Sequence, residues 1–269
     1  MTDLYAVIGS PIAHSKSPLI HAAFARAAHQ DISYERILAP LDKFRETVDE
    51  FRLRGARGVN ITVPFKFEAF EYATKLTDRA AASGAVNTLC FDEGEVLGDN
   101  TDGAGLTRDI TENLGVQVRG ARVLLLGAGG AAYGVFGALL EQHPSILAIA
   151  NRTFEKATQL AAKYSDSAAH AIAFADLPGQ QFDIIINATS ASLSDELPLI
   201  SLSNFAPNSL AYDMMYGKGD TAFLQLAKRA GARAADGVGM LAEQAAEAFF
   251  VWRGVRVKTA SVIAMLSQA

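Results

Sequence analysis

Arg122-Val-Leu-Leu-Leu-Gly127-Ala128-Gly129-Gly130-Ala131-Ala132 is the stretch on which the fold turns. An apolar strand over Arg122–Leu126 runs straight into a Gly-x-Gly-x-x-Ala turn that opens a helix. Gly127 allows the tight turn, Gly129 lets the backbone approach a pyrophosphate, and Ala132 keeps helix and strand close. The first turn of such a helix offers free N–H groups and a positive dipole end to phosphates. Gly127, Ala128, Gly129, Gly130 and Ala131 are therefore candidate dinucleotide contacts.

The following strand, over Ile146–Ala150, separates two cofactor classes. A site for NAD carries an acid at this strand end, about 20 residues past the glycines, to hold the ribose hydroxyls. Here the strand ends in Asn151-Arg152-Thr153, with Lys156 one helical turn later. An acid would repel a 2′-phosphate, whereas Arg152 offers it paired hydrogen bonds and a face to stack on adenine. NADP is the expected cofactor. The plainer alternative is that Arg152 and Lys156 only solvate a surface.

Outward from this unit, strand-like runs alternate with helical patterns, so the fold class is α/β with mainly parallel sheets. Before it come strands at about Tyr5–Ile8, Ser33–Leu38 and Val59–Thr62. Helices are expected from Pro18 to about Ala28 and from Leu41 to Arg54, the latter closed by Gly55. Ala85–Phe91 and Glu95–Asp99 read as a ribbon around Asp92-Glu93-Gly94. After it come strands at His170–Phe174, Asp183–Asn187 and Leu210–Asp213, then helical patterns at about Met240–Trp252 and Val257–Leu266.

Composition narrows the function classes. The 269 residues are 50% hydrophobic, enough for a sizeable core. Charged residues are 20% of the chain and the net charge is −5, so no basic footprint for nucleic acid exists. No basic block suits an anionic membrane surface. No apolar run approaches the ~18 residues of a membrane span, and no signal peptide is expected at the start. Cys90 is the only cysteine. It excludes an intrachain disulfide and fits a cytoplasmic protein, and it reads as a buried strand residue, not a nucleophile. The five histidines, His14 and His21 among them, form no ligand cluster, so no metal is expected. Trp252 reads as a helix-packing residue and Met214 as core filler.

Three polar segments interrupt the apolar pattern of the first half. They are Gly9-Ser-Pro-Ile-Ala-His14-Ser15-Lys16-Ser17-Pro18, Gly58-Val-Asn60-Ile-Thr62-Val-Pro64-Phe-Lys66, and Gly84-Ala-Val-Asn87-Thr88 with Gly98-Asp99-Asn100-Thr101-Asp102-Gly103. Together they supply hydroxyls, amides, a lysine and carboxylates, which suit a small, hydroxyl-rich anion. Taken singly, Lys66 is a solvated lysine and Asp102 a helix N-cap.

The ordered set resembles the shikimate dehydrogenase family. Ser-Lys-Ser-Pro, Asn-Ile-Thr-Val-Pro-Phe-Lys, Ala-Val-Asn-Thr, Gly-Asp-Asn-Thr-Asp-Gly, Gly-Ala-Gly-Gly-Ala and Asn-Arg-Thr occur in that family's order. Asn187-Ala-Thr-Ser, Tyr212-Asp-Met-Met-Tyr216 and Asp236-Gly-Val-Gly-Met-Leu-Ala-Glu-Gln244 follow. The resemblance spans essentially the whole chain. It implies reversible NADPH-dependent reduction of 3-dehydroshikimate to shikimate, a step of aromatic amino acid biosynthesis. It further implies Lys66 as catalytic lysine and Asp102 as its partner, with Ser15 and Ser17 on the substrate carboxylate. Asn60, Thr62, Asn87, Tyr216 and Gln244 would contact the carboxylate or ring hydroxyls, and Thr189, Met214 and Gly237 would line the nicotinamide side.

Two α/β domains separated by an active-site cleft are expected. Residues 1–102 would form the substrate domain and 103–238 a Rossmann-like NADP domain. Residues 239–269 would return to the first, as the family implies. The partner is a small molecule, and the protein is a monomer or homodimer. A quinate/shikimate dehydrogenase with relaxed substrate or cofactor choice remains an alternative, as does a non-catalytic NADPH-binding sensor.

Overall fold

A computed structural model describes residues 2–92, 94–189, 197–217 and 219–268. Glu93 and Ser190, quoted above within two motifs, lie outside the described residues. The chain divides into two units, Met1–Gly105 with Ala242–Gln268, and Leu106–Leu241. The divisions anticipated at 102/103 and 238/239 follow the first residue of a helix in each case, and these two fall three residues later in the same helices.

The first unit begins with β1 (Asp3–Gly9), α1 (Ser17–Ala27), β2 (Ile32–Leu38), α2 (Phe44–Leu53), β3 (Ala56–Ile61) and α3 (Lys66–Tyr72). It continues with β4 (Lys75–Leu76), α4 (Asp78–Ser83), β5 (Thr88–Asp92), β6 (Glu95–Asp99) and α5 (Asp102–Arg108). The sheet order is β2-β1-β3-β5-β6-β4. β1 pairs in parallel with β2 and β3, and β4 with β6. The ribbon β5–β6 supplies the antiparallel pairings, to β3 and within itself. α2 starts at Phe44, not Leu41, because the Lys43 N–H turns back to the Pro40 carbonyl at 3.0 Å. It closes on Gly55, whose φ of +84° is cheap only for glycine. Thr77 caps α4 by accepting from Ala80 N–H at 3.3 Å. Ile8, Val48, Phe51, Val59, Phe65 and Leu89 form its core, each burial contributing about 1.5–3 kcal/mol. Cys90, expected to be buried in its strand, is half-buried in β5.

The second unit opens with a π-helical turn at Asp109–Asn113, followed by β7 (Arg122–Leu126), α6 (Gly130–Glu141), β8 (Ile146–Ala150) and α7 (Phe154–Ala162). Then come β9 (Ala169–Ala171), β10 (Phe182–Asn187), β11 (Phe205–Asp213), α8 (Ala222–Arg229) and β12 (Arg233–Ala235). All pairings are parallel, in the order β12-β11-β10-β7-β8-β9. The sheet is covered on both faces: Val123 and Leu125 pack with Val135 and Phe136 of α6, Leu124 and Leu126 with Phe223 of α8. Double coverage explains the unbroken apolar run of β7. The strand anticipated at His170–Phe174 is shorter. After Ala171 the chain bends into a 3-10 turn at Phe174–Asp176 that delivers Leu177 into the core. β7 and β10 are neighbours whose onward connections leave in opposite directions. Their carboxyl ends form a switch point, the place where open α/β sheets bind ligands.

α9 (Val238–Arg253) and α10 (Ala260–Ser267) end the chain. From Ala242 onward they belong to the first unit. Phe249 of α9 is fully buried there, and Trp252 Nε1 donates to the Leu89 carbonyl at 3.0 Å. Trp252 lies so close to β3 that a side chain at Gly58 would collide with it. Among the described residues no helix is long and apolar enough to cross a membrane.

Candidate active site

In the first unit, three strand ends deliver polar groups to one place. β3 runs into Thr62 and the cis Val63–Pro64 bond, and α3 then starts with Lys66. The Lys66 carbonyl accepts from Val86 N–H at 2.9 Å, which ties α3 to the segment entering β5. Asn87 N–H bonds the Asp99 carbonyl at 3.0 Å, so Asn87 sits at the end of β6. Beyond β6, the Asn100 side chain donates to the Ala85 carbonyl at 2.8 Å and accepts from Asp102 N–H at 3.1 Å, which sets the start of α5. Lys66 Nζ donates to Asp102 Oδ2, and both side chains are mostly shielded, 13% and 7% exposed. Asn87 Nδ2 donates to Asp102 Oδ1 at 2.8 Å.

The other substrate-side candidates of this unit gather around the same loops. Ser15 and Ser17 are both buried, and Ser15 Oγ donates to Ser17 Oγ at 3.2 Å. Arg36 Nε, on β2, donates to the Ser15 carbonyl at 2.8 Å and holds the loop. Buried Asn60 accepts from Tyr34 Oη at 2.7 Å. Gln244 of α9 accepts from Asn87 Nδ2 at 3.4 Å, so the last helical region does carry a candidate back to this cluster. Thr62, half-buried, packs its methyl group against Gly9. Behind the cluster, burial works to raise the Asp99 pKa, but hydrogen bonds and charge from Arg79 hold it below the ordinary value.

In the second unit the candidates meet at the switch point. Gly127 ends β7 with φ +103°, and the place of a Cβ there is crowded by Thr189 and Ala188 at 3.0–3.2 Å. At Gly129 no atom of the described residues comes within 4 Å of that place, so backbone there faces open space. Gly129 is the N-cap of α6 and, among the described residues, no side chain caps that helix, which leaves first-turn N–H groups for an anion. Ala132 is fully buried against the sheet. Asn151 Nδ2 donates to the Thr153 carbonyl at 2.9 Å and shapes the loop after β8. Arg152, Thr153 and Lys156 are exposed, and no acid stands at the strand end. Thr189 Oγ1 donates to Asn187 Oδ1 at 2.7 Å. Met214 N–H bonds the Asn187 carbonyl at 3.0 Å, and Gly237 N–H the Met215 carbonyl at 3.0 Å. A side chain on Gly237 would fall on the Met214 carbonyl. Burial, with the charges of Asp109 and Asp213, raises the Asp236 pKa. Tyr216 is half-buried in this unit, apart in the chain division from the other substrate-side candidates.

The open turn, the uncapped helix and the exposed cations fit a phosphorylated dinucleotide. Residues 7–89 match the family described as shikimate dehydrogenase substrate binding domain, and residues 109–199 the family shikimate / quinate 5-dehydrogenase. Residues 237–264 match the shikimate 5'-dehydrogenase C-terminal domain. A shikimate dehydrogenase (NADP(+)) of Nitrosospira multiformis is 60% identical over 268 residues, which cover 99% of this chain and 98% of the relative. The chain belongs to the shikimate dehydrogenase family.

Solved structures share the fold of this shikimate dehydrogenase family member. An Ael1 enzyme from Pseudomonas putida superposes with TM-score 0.92 at 50% identity, covering 98% of each chain. The Thermus thermophilus shikimate 5-dehydrogenase, in complex with NADP(H) and shikimate, superposes with TM-score 0.90 at 32% identity, covering 99% of each chain. The fold is that of shikimate dehydrogenases, with a substrate-binding domain and a Rossmann-like NADP domain. Four polar residues of the hydrogen-bonded cluster around Lys66 and Asp102 were not among the sequence candidates: Tyr34, Thr88, Asn100 and Thr101. Thr88, Asn100 and Thr101 do stand inside quoted motifs. Tyr34 had no local signal at all.

Proposed function

We propose that this chain catalyses the reversible NADPH-dependent reduction of 3-dehydroshikimate to shikimate, within aromatic amino acid biosynthesis. The observation that carries the reading is the shielded Lys66–Asp102 ion pair, held by Asn87 and adjoined by hydroxyl and amide side chains.

Bound NADPH supplies a hydride to the carbonyl carbon. Negative charge then grows on the carbonyl oxygen, and the Lys66 ammonium stabilises that charge and gives the oxygen its proton. In the oxidation direction neutral Lys66 takes the proton from the alcohol. The Asp102 carboxylate keeps the lysine in place and accepts from a ring hydroxyl. Ser15 and Ser17 receive the substrate carboxylate with their hydroxyls. Asn60, Thr62, Asn87, Tyr216 and Gln244 pair with the carboxylate or ring hydroxyls, so a substrate lacking those groups forgoes these contacts.

On the cofactor side, the backbone around Gly127, Ala128, Gly129, Gly130 and Ala131 receives the pyrophosphate. Asn151, Arg152, Thr153 and Lys156 receive the 2′-phosphate and adenine end. Thr189, Met214 and Gly237 take the nicotinamide side. The protein acts in the cytoplasm, a reading supported by its single cysteine, and as a monomer or homodimer.

A four-way steady-state assay tests this: shikimate and quinate, each with NADP+ and NAD+. Turnover of shikimate with NADP+ well above the other three combinations is expected. Strong quinate turnover with NAD+ would replace the reading with a relaxed quinate/shikimate enzyme. NADPH binding without any shikimate-dependent change in absorbance would leave a sensor.

A further inference from the structure

Around Lys66 the side chains of the first unit form one directed hydrogen-bond chain. Tyr34 Oη donates to Asn60 Oδ1 at 2.7 Å. Asn60 Nδ2 donates to Thr88 Oγ1 at 3.1 Å. The Thr88 hydroxyl donates onward to Asn87 Oδ1 at 2.9 Å. Asn87 Nδ2 donates to Asp102 Oδ1 at 2.8 Å, and Lys66 meets the other carboxylate oxygen.

Thr88 is the pivot. Its hydroxyl has a single proton. Once that proton goes to Asn87, the oxygen is left to accept from Asn60. An amide side chain has nearly the same shape either way round, so hydrogen bonds alone decide which end faces where. Thr88 bears on it for two amides at once, beside the Thr101 N–H at Asn87 and the Asn87 carbonyl at Asn60. Asn87 Oδ1 is taken up by Thr88 and by Thr101 N–H at 2.9 Å, so Nδ2 is left to face Asp102. Thr88 is fully buried, Asn87 2% exposed and Asn60 7% exposed. In so dry a setting a satisfied network is rigid, and each link strengthens the next.

We propose that Thr88 is a positioning residue for the proton-transfer pair: its hydroxyl orients Asn87, Asn87 holds Asp102, and Asp102 holds Lys66. Tyr34 is the outer end of the same chain and orients Asn60. The proposal rests on the reading of Lys66 and Asp102 as that pair.

Thr88→Val keeps the shape and removes the hydroxyl, while the Thr101 N–H and the Asn87 carbonyl, which accepts from Asn60 at 3.4 Å, still anchor both amides. The experiment is a double-mutant cycle on kcat for shikimate oxidation, with Thr88→Val placed in the parent and in Asp102→Asn. A residue acting through Asp102 loses its effect once that carboxylate is gone, whereas a general packing defect adds in full. Expected are a fall in kcat of about tenfold in the parent, less than about twofold in Asp102→Asn, and recovery to within about twofold of the parent in Thr88→Ser. Unchanged kcat in Thr88→Val, or an equal fall in both backgrounds, would overturn the proposal. Should Thr88→Val not fold, Tyr34→Phe breaks the chain at its first link. A fall of about threefold confined to the parent supports the chain, and an equal or absent effect in both backgrounds removes it. A parent inactive on shikimate would bring down the functional reading and Thr88's role with it; an active parent with indifferent Thr88 variants brings down only the latter.

Discussion

The two units prepare for their ligands in opposite ways. Around Lys66 the polar side chains are satisfied by one another before any substrate arrives: Asp102 by Lys66 and Asn87, Asn60 by Tyr34 and Thr88. At the glycine turn the binding groups are left open. Gly129 faces empty space, α6 starts uncapped, and Arg152 is exposed. The difference fits the chemistry proposed for each side. A proton has to be delivered to one atom in one geometry, so its donor is oriented in advance. A phosphate brings several strong acceptors of its own, and helix N–H groups and a guanidinium need only be free to meet them.

The largest expected effect breaks the prepared side. Lys66→Ala should lower kcat by about 10³-fold, within the range of general acid–base contributions, while shikimate affinity changes by less than about threefold. Titration of shikimate against the variant, beside its steady-state kinetics, checks both numbers. A loss confined to affinity would turn Lys66 into a binding residue.

The next effect tests how deeply the first unit is packed. His21 is fully buried, stacked on Tyr34 at 4.3 Å and 5.3 Å from Trp252. Burial pushes its pKa down from 6.5 to about 3, with Asn60 pulling weakly the other way. The unfolded chain therefore binds the proton first. Stability owed to the neutral ring is complete above pH 6.5 and falls towards about 3, at about 1.4 kcal/mol per pH unit. Asp99 and Glu247 have carboxyl pKa values below ordinary, since arginine neighbours outweigh burial, so their stabilisation is lost only further into acid. Urea unfolding at pH 6.5 and 5, followed through the single tryptophan, should show this slope, and His21→Phe should flatten it. An equal slope in the variant would show that the ring is not held neutral.

Two smaller effects sharpen the contrast. Arg152→Ala should weaken NADPH by about 30-fold and leave NADH nearly unchanged, since one charge-assisted contact to the 2′-phosphate is lost. An unaltered ratio of the two affinities would return Arg152 to the role of surface solvation. Removal of matching caps should not distinguish the units. Thr77→Ala in the first and Thr221→Ala in the second each lose one accepted N–H bond, and each should cost about 1 kcal/mol in chemical unfolding. A much larger loss at either threonine would assign it more than a cap: Thr77 also bonds Asp99 at 2.6 Å and Thr221 bonds Asp213 at 2.7 Å.

How much was legible in the sequence also differs between the units. β7 and β8 were readable residue for residue, because a strand buried on both faces is an unbroken apolar run. Edge elements were not: β12 is Arg-Ala-Ala without pattern, and β9 ends early because Leu177 has to reach the core. The glycine turn is local, so its geometry follows from contiguous residues. The substrate side is not local. Lys66, Asn87 and Asp102 come from three separate segments, and only the ordered motifs of a family pointed to them together. Tyr34 reaching Asn60 across the sheet, and His21 sealed among aromatic rings, are products of tertiary packing that no periodicity announces. Cys90 shows the same limit in reverse, since an apolar strand position proved half-exposed.

The division of labour between the units is tested most directly by the NADPH dissociation constant of Lys66→Ala, measured by fluorescence titration on the same preparation whose turnover has collapsed. It should lie within about twofold of the parent value, because the ammonium group serves the proton and not the cofactor. A loss of about tenfold or more in NADPH affinity would contradict the account.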